Sequence, residues 1–254
     1  MALPAARMLL QDVGLCVGFF TRIPVTVTTS RGLAQAQWAT PVAGGLIGLC
    51  IATAYIVVLS IGMPAGIAAA LTLAAGALLT GALHEDGLGD VADGFGGGRT
   101  RDDKLAIMKD SRLGTYGALA LMVSLLARWS AMVAIAPFGT SVILATLVAA
   151  HAASRALIPL FMAWLPSARP GGLADRAGAV DADVALAALA IGIALLLPTG
   201  IECALVCMAL LACTVVAMRN LAMAQIGGQT GDVLGALQQA GEVGVLVVAA
   251  TLLT

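Results

Sequence analysis

His84 to Gly117 reads HEDGLGDVADGFGGGRTRDDKLAIMKDSRLGTYG, a polar island in a chain that is otherwise oily. It carries seven of the fourteen carboxylates and five of the thirteen cationic side chains. Asp86, Asp90 and Asp93 follow the spacing i, i+4, i+7, so on a helix all three lie on one face. Carboxylates crowded in this way repel each other unless a cation sits among them. The stretch is read as a divalent-metal site at a membrane surface, and the rest of the chain as its frame.

Working outward, 60% of the 254 residues are hydrophobic and 11% are charged, against roughly 25% charged in a soluble domain. One globular core cannot hide so much apolar surface, so a lipid bilayer is the expected solvent. A net charge of −1 and few aromatic residues argue against a nucleic-acid partner. The five cysteines sit mostly inside apolar runs and read as small buried hydrophobes. Asp12 interrupts the N-terminal apolar run and no small-residue cleavage site follows, so no cleaved signal peptide is expected.

Apolar runs at 40–62, 65–83, 114–136, 139–164, 184–197 and 200–217 read as membrane spans, with a further one at 242–254 or from near Asp232. Residues 1–39 hold a stretch too short to span and read as an interfacial or half-inserted helix. The cations fall in the N-terminal segment, the island, 165–183 and 218–241, except Arg128 and Arg155. The turns near 63, 138 and 199 carry none, so the positive-inside rule places every charged segment in the cytoplasm. The expected fold is all-α: a polytopic membrane helix bundle of about six to eight membrane helices with cytoplasmic polar loops. Residues 1–254 form one domain.

Four constellations carry chemistry. In Asp86–Gly94, hard carboxylate oxygens suit Mg²⁺, which is usually held by one or two carboxylates plus phosphate oxygens. A solvated acidic face is the plainer alternative, but it would not need the helix-weakening glycines at 87, 89 and 94. Glu85 is a further candidate ligand; His84 is a base, a ligand or a boundary residue. In Gly96–Gly117, Lys109 and Arg112 can pair with phosphate oxygens and Asp110 joins them as a site residue, while Arg99 and Arg101 also suit contact with anionic lipid. No Walker spacing is present. In Ile226–Ala236, the backbone of Gly228, Gln229, Thr230 and Gly231 precedes an apolar helix and can hold an anion, beside Asp232. Within the membrane, Arg128, His151 and Arg155 are rare buried polar groups, of the kind that is usually functional or paired.

GALHEDGLGDVADGFGGG, IMKDSRLGTYG and GGQTGDVLGA resemble the signature segments of the cobalamin synthase family, whose members are adenosylcobinamide-GDP ribazoletransferases. FFTRIPV near the start, the P-x-x-G-x-x-x-G run from Pro41 to Gly48 and Ser154–Arg155 extend the resemblance nearly end to end. Glu85 and Gly89 depart from the common pattern. The resemblance implies a multi-pass inner-membrane enzyme that joins adenosylcobinamide-GDP to α-ribazole or its 5′-phosphate, releasing GMP with Mg²⁺ as cofactor. It implies Asp86, Asp90 and Asp93 as metal ligands, Asp232 as a further ligand or the group orienting one, and Asp93 or Asp110 as the group taking the hydroxyl proton, while Glu85 stays a candidate metal ligand on its position alone. Lys109 and Arg112 would steady phosphate oxygens, with Arg155 and Gly228–Gly231 on the substrate. A homo-oligomer stays open. The order D-G-x-x-D-x-x-D also looks broadly like the metal motif of CDP-alcohol phosphotransferases, but Gly89 and Asp90 occupy the A-R places of that pattern. A cation transporter is the remaining rival; against it, the acids lie between spans rather than within them.

Overall fold

The computed structural model describes residues 2–29 and 31–253. Among them the order is α1 Ala2–Phe20, α2 Leu33–Ala36, α3 Thr40–Ser60, α4 Ala65–Thr80, α5 Leu83–Gly97 and α6 Arg101–Ile107. It continues with α7 Thr115–Ile135, α8 Thr140–Trp164, α9 Leu173–Ala177, α10 Ala182–Leu196, α11 Ile201–Ile226 and α12 Gly231–Leu253. The only β feature among the described residues is an isolated parallel bridge between Ser167 and Gln229. Six helical stretches are long and apolar enough to cross a bilayer: Leu33–Ser60, Thr115–Phe138, Thr140–Trp164, Ala182–Thr199, Ile201–Ile226 and Gly231–Leu253. The chain is therefore a multi-pass all-α membrane bundle.

The span expected at 65–83 is broken. α4 and α5 reach the length of a crossing only together, and they meet at 92°. Gly81 and Ala82 both adopt positive φ, +67° and +54°, and Ala82 is the only non-glycine to do so among the described residues. A break inside a bilayer frees backbone groups that lipid cannot satisfy. Here the chain leaving α1 supplies a partner, with the Arg22 N–H donating to the Leu79 carbonyl at 2.8 Å. Counted as one broken crossing, α4 and α5 make the seventh span.

Two other boundaries move. α11 continues past residue 217 to Ile226, so most of the polar stretch at 218–241 is helix and only 227–230 is loop. Polar side chains such as Arg219 and Gln225 do not stop a helix; the left-handed Gly227 does. The last span begins at Gly231, next to the alternative start near Asp232.

α8 is the central helix, packed against α3, α10 and α12. In lipid, close helix packing relies on small residues that let backbones meet. Gly44 and Gly48 of α3 lie against the backbone of α8 at His151 and Leu147. A Cβ on Gly48 would stand 2.5 Å from the Leu147 carbonyl oxygen and 2.8 Å from the Val148 Cα, neither of which can swing aside. Gly48→Val is expected to lower stability by about 1–3 kcal/mol, read as a lower melting temperature in detergent. An unchanged melt would show that α3 and α8 have room to separate.

Candidate active site

The site grows from α5. Its Gly87 meets the backbone of Asp232 on α12, where a Cβ would come within 2.7 Å of the Asp232 carbonyl oxygen. Gly235 of α12 returns the contact against the backbone of His84. These two glycines let the helices touch, which sets Asp86 beside the start of α12.

Asp86, Asp90 and Asp93 share one face of α5, as the spacing requires. Asp86, Asp232 and Asp93 each act on the charge of Asp90 as repelling neighbours, and Arg169 is the opposing cation. The three acids of α5 do not close on one point. Among the described residues no three His, Cys, Asp or Glu side chains converge tightly enough to hold a metal alone. Helical rise explains much of this, since seven residues span about 10 Å. Asp93 is also committed elsewhere. It is buried and accepts from the Gly114 and Gly117 N–H groups at 2.7 and 2.8 Å, fastening the first turn of α7. Asp232 pairs with Arg169 at 3.2 Å. The carboxylates of Asp86 and Asp90 have no hydrogen bond or ion pair from the described residues, in contrast to those of Asp93, Asp232 and Glu85. Two open carboxylates and a third held by a displaceable arginine suit an ion that takes the rest of its shell from water and phosphate.

Asp86 and Asp232 stand at the mouth of a cavity of about 220 Å³, with Arg169, Thr230 and Gly231. Its deeper wall is apolar, from Phe19, Phe20, Leu83, Ile158, Met162 and Leu234, with His84 and Gln37 among them.

The other nominated residues fall in three places. Gly228, Gln229 and Thr230 tie the loop after α11 to the segment after α8. The Gln229 N–H donates to Pro166 at 2.9 Å and its carbonyl accepts from Ala168 at 2.8 Å. Thr230 caps α12, its hydroxyl accepting from the Val233 N–H at 3.3 Å. Lys109, Asp110 and Arg112 lie outside the cavity lining. Arg112 chelates the Asp110 carboxylate, with Nε at 3.0 Å from both oxygens, and that guanidinium holds the Asp110 carboxyl below its ordinary range. Arg101 is no free cation, since it donates to the carbonyls of Ile226 and Ala168 at 2.8 Å each.

Glu85 and Arg155, expected as metal ligand and substrate contact, stand outside the cavity lining. Both belong to an ion cluster behind the cavity wall. Arg128 Nη1 lies 2.9 Å from Glu85 Oε1 and 3.3 Å from Glu242 Oε1. The other Glu242 oxygen meets His151 Nδ1 at 3.0 Å and Arg155 Nη1 at 3.8 Å. Arg155 is 2% exposed and donates to the His151 carbonyl at 3.1 Å. A guanidinium so deep cannot snorkel, so its charge is answered where it stands. Sequence reasoning missed three partners: Glu242, Gln238 and Arg169. The i, i+4 spacing of Gln238 and Glu242, which bond at 2.7 Å, was the available signal.

A profile described as cobalamin-5-phosphate synthase matches residues 12–250. The adenosylcobinamide-GDP ribazoletransferase of Mesorhizobium japonicum is 49% identical over 250 residues, covering 98% of this chain and 96% of its own. The protein of that name in Bradyrhizobium diazoefficiens is 47% identical, over 96% and 95%. That of Brucella ovis is 42% identical, over 94% and 96%. No solved structure matches the chain.

Proposed function

The chain belongs to the cobalamin-5-phosphate synthase family, and on that premise we propose that it is an adenosylcobinamide-GDP ribazoletransferase. It joins the phosphocobinamide part of adenosylcobinamide-GDP to α-ribazole or α-ribazole 5′-phosphate. The products are adenosylcobalamin or its 5′-phosphate, and GMP. The observation that carries this reading is a pair of carboxylates with no partner among the described residues: Asp86, which lines the cavity with Asp232, and Asp90, whose charge both of them repel.

Asp86, Asp90 and Asp232 are the residues to hold Mg²⁺, which when bound neutralises charge on the diphosphate. Arg169, released from Asp232 as the diphosphate arrives, pairs with phosphate oxygens, and Lys109 and Arg112 add cations from the neighbouring loop. A hydroxyl of the ribazole attacks the phosphorus bonded to cobinamide, in line with the departing GMP oxygen. Of the two carboxylates nominated for the hydroxyl proton, Asp93 shares a helix face with Asp86 and Asp90, whereas Asp110 is bound to Arg112. Asp93 is therefore the better placed. Two accepted N–H bonds leave part of its capacity of about four lone-pair sites open.

The site faces the cytoplasm from the inner membrane. Support comes from the cations, which gather in the segments at the site's end of the bundle and are absent from the opposite turns.

Membranes containing the protein, given adenosylcobinamide-GDP, α-ribazole and Mg²⁺, are expected to release GMP in step with cobalamin formation. No GMP under those conditions, with the protein present and folded, would refute the reading.

A further inference from the structure

The apolar cavity has a shape and a chemistry that the diphosphate does not explain. At about 220 Å³ it is smaller than the roughly 300–1,000 Å³ of pockets that take drug-sized ligands. A corrin ring cannot enter it, and its deep wall of Phe20, Leu83, Ile158 and Met162 offers a charged phosphate no cation. A flat, uncharged two-ring base can enter.

One group on that wall lacks a partner. Gln37 is 2% exposed; among the described residues its Oε1 has no hydrogen bond, and the only partner of its Nε2 is the Met162 thioether sulfur at 3.7 Å. A buried amide left so poorly satisfied costs about 1–3 kcal/mol. The orientation of such an amide is set by its hydrogen bonds, so it can turn either its donor or its acceptor inward. Gln37 sits on a 3₁₀ turn, Gln37–Ala39, that runs directly into α3, which holds its backbone in place.

Resting on the ribazoletransferase reading, we infer that this cavity seats the aromatic base of the acceptor nucleoside, with the Gln37 amide donating to the base's unprotonated ring nitrogen. The sugar then points out of the cavity, toward the acid face of α5 and the diphosphate held there. The large donor lies over the mouth with its corrin outside. The acceptor is selected by depth and flatness, the donor by charge.

The test is Gln37→Leu, close in volume and apolar. Removing an unsatisfied buried amide leaves the fold as stable or more so, so the melting temperature is expected to hold or rise. The KM for α-ribazole, and its Kd measured by calorimetry without donor, should each rise about tenfold, with the KM for adenosylcobinamide-GDP unchanged. A riboside whose base has carbon in place of that ring nitrogen should lose the same factor on the wild-type protein and nothing further on the variant. Unchanged acceptor KM and Kd, or a rise confined to the donor, would overturn the assignment while leaving the activity standing. A wild-type protein that neither binds α-ribazole nor releases GMP would overturn both.

Discussion

Asp90→Asn is expected to cut GMP release by on the order of 10³-fold, which at 1.36 kcal/mol per decade is about 4 kcal/mol of lost transition-state stabilisation. Asparagine keeps the volume and removes the charge. Asp90 is partly buried, and three acids, Asp86, Asp232 and Asp93, repel its charge against the single opposing cation Arg169, which together push its carboxyl up to about 7. Its charge therefore costs the folded protein something and gains meaning only when a divalent ion and a diphosphate arrive. The variant should accordingly reach the membrane in normal amount and melt no lower than the wild type. That pairing of outcomes separates Asp90 from Asp93, whose oxygens fasten Gly114 and Gly117. Asp93→Asn can accept with one oxygen only, so it should lose stability as well as activity. Near-normal GMP release by Asp90→Asn would remove the metal from this face of α5.

The difference between these two aspartates marks what a sequence can and cannot tell. Periodicity put Asp86, Asp90 and Asp93 on one face, and the helix over Leu83–Gly97 puts them there. What each carboxylate touches depends on residues twenty and more positions away, and no local spacing encodes that. The spans were legible because lipid demands long apolar runs. The break at Gly81–Ala82 was not, because an apolar run reads alike whether straight or bent by 92°. The glycines at 87, 89 and 94 were legible as more than a solvated acidic face needs; Gly87 meets the backbone of Asp232 on α12. Arg155 was legible as exceptional, since charge in a bilayer is costly. Its purpose was not, because the carboxylate that answers it lies 87 residues on, at the head of what reads as a plain apolar tail.

That carboxylate carries the largest expected effect on folding. Glu242 is 2% exposed, eleven residues into α12, which is about 16 Å below its start. Its two oxygens meet Arg128, His151, Arg155 and Gln238, and so tie α12 to α7 and α8. Through Arg128 the tie extends to Glu85 on α5, behind the acid face. Glu242→Ala removes one of two carboxylates facing two guanidiniums and leaves a net positive charge buried in the bundle. Breaking a buried ion pair by deleting one partner costs about 3–5 kcal/mol, which for a chain of this size is a fall in melting temperature of about 10 °C. Glu85→Gln should cost far less, because Glu85 has one cationic partner and its side chain is 17% exposed. Activity should fall in both, since a loosened Arg128 lets α5 turn about its axis and misdirects Asp86 and Asp90. The check is a melt of purified protein in detergent alongside GMP release. If Glu242→Ala melted with the wild type, the cluster would be an ornament of the bundle, and something other than these ion pairs would be fixing α5.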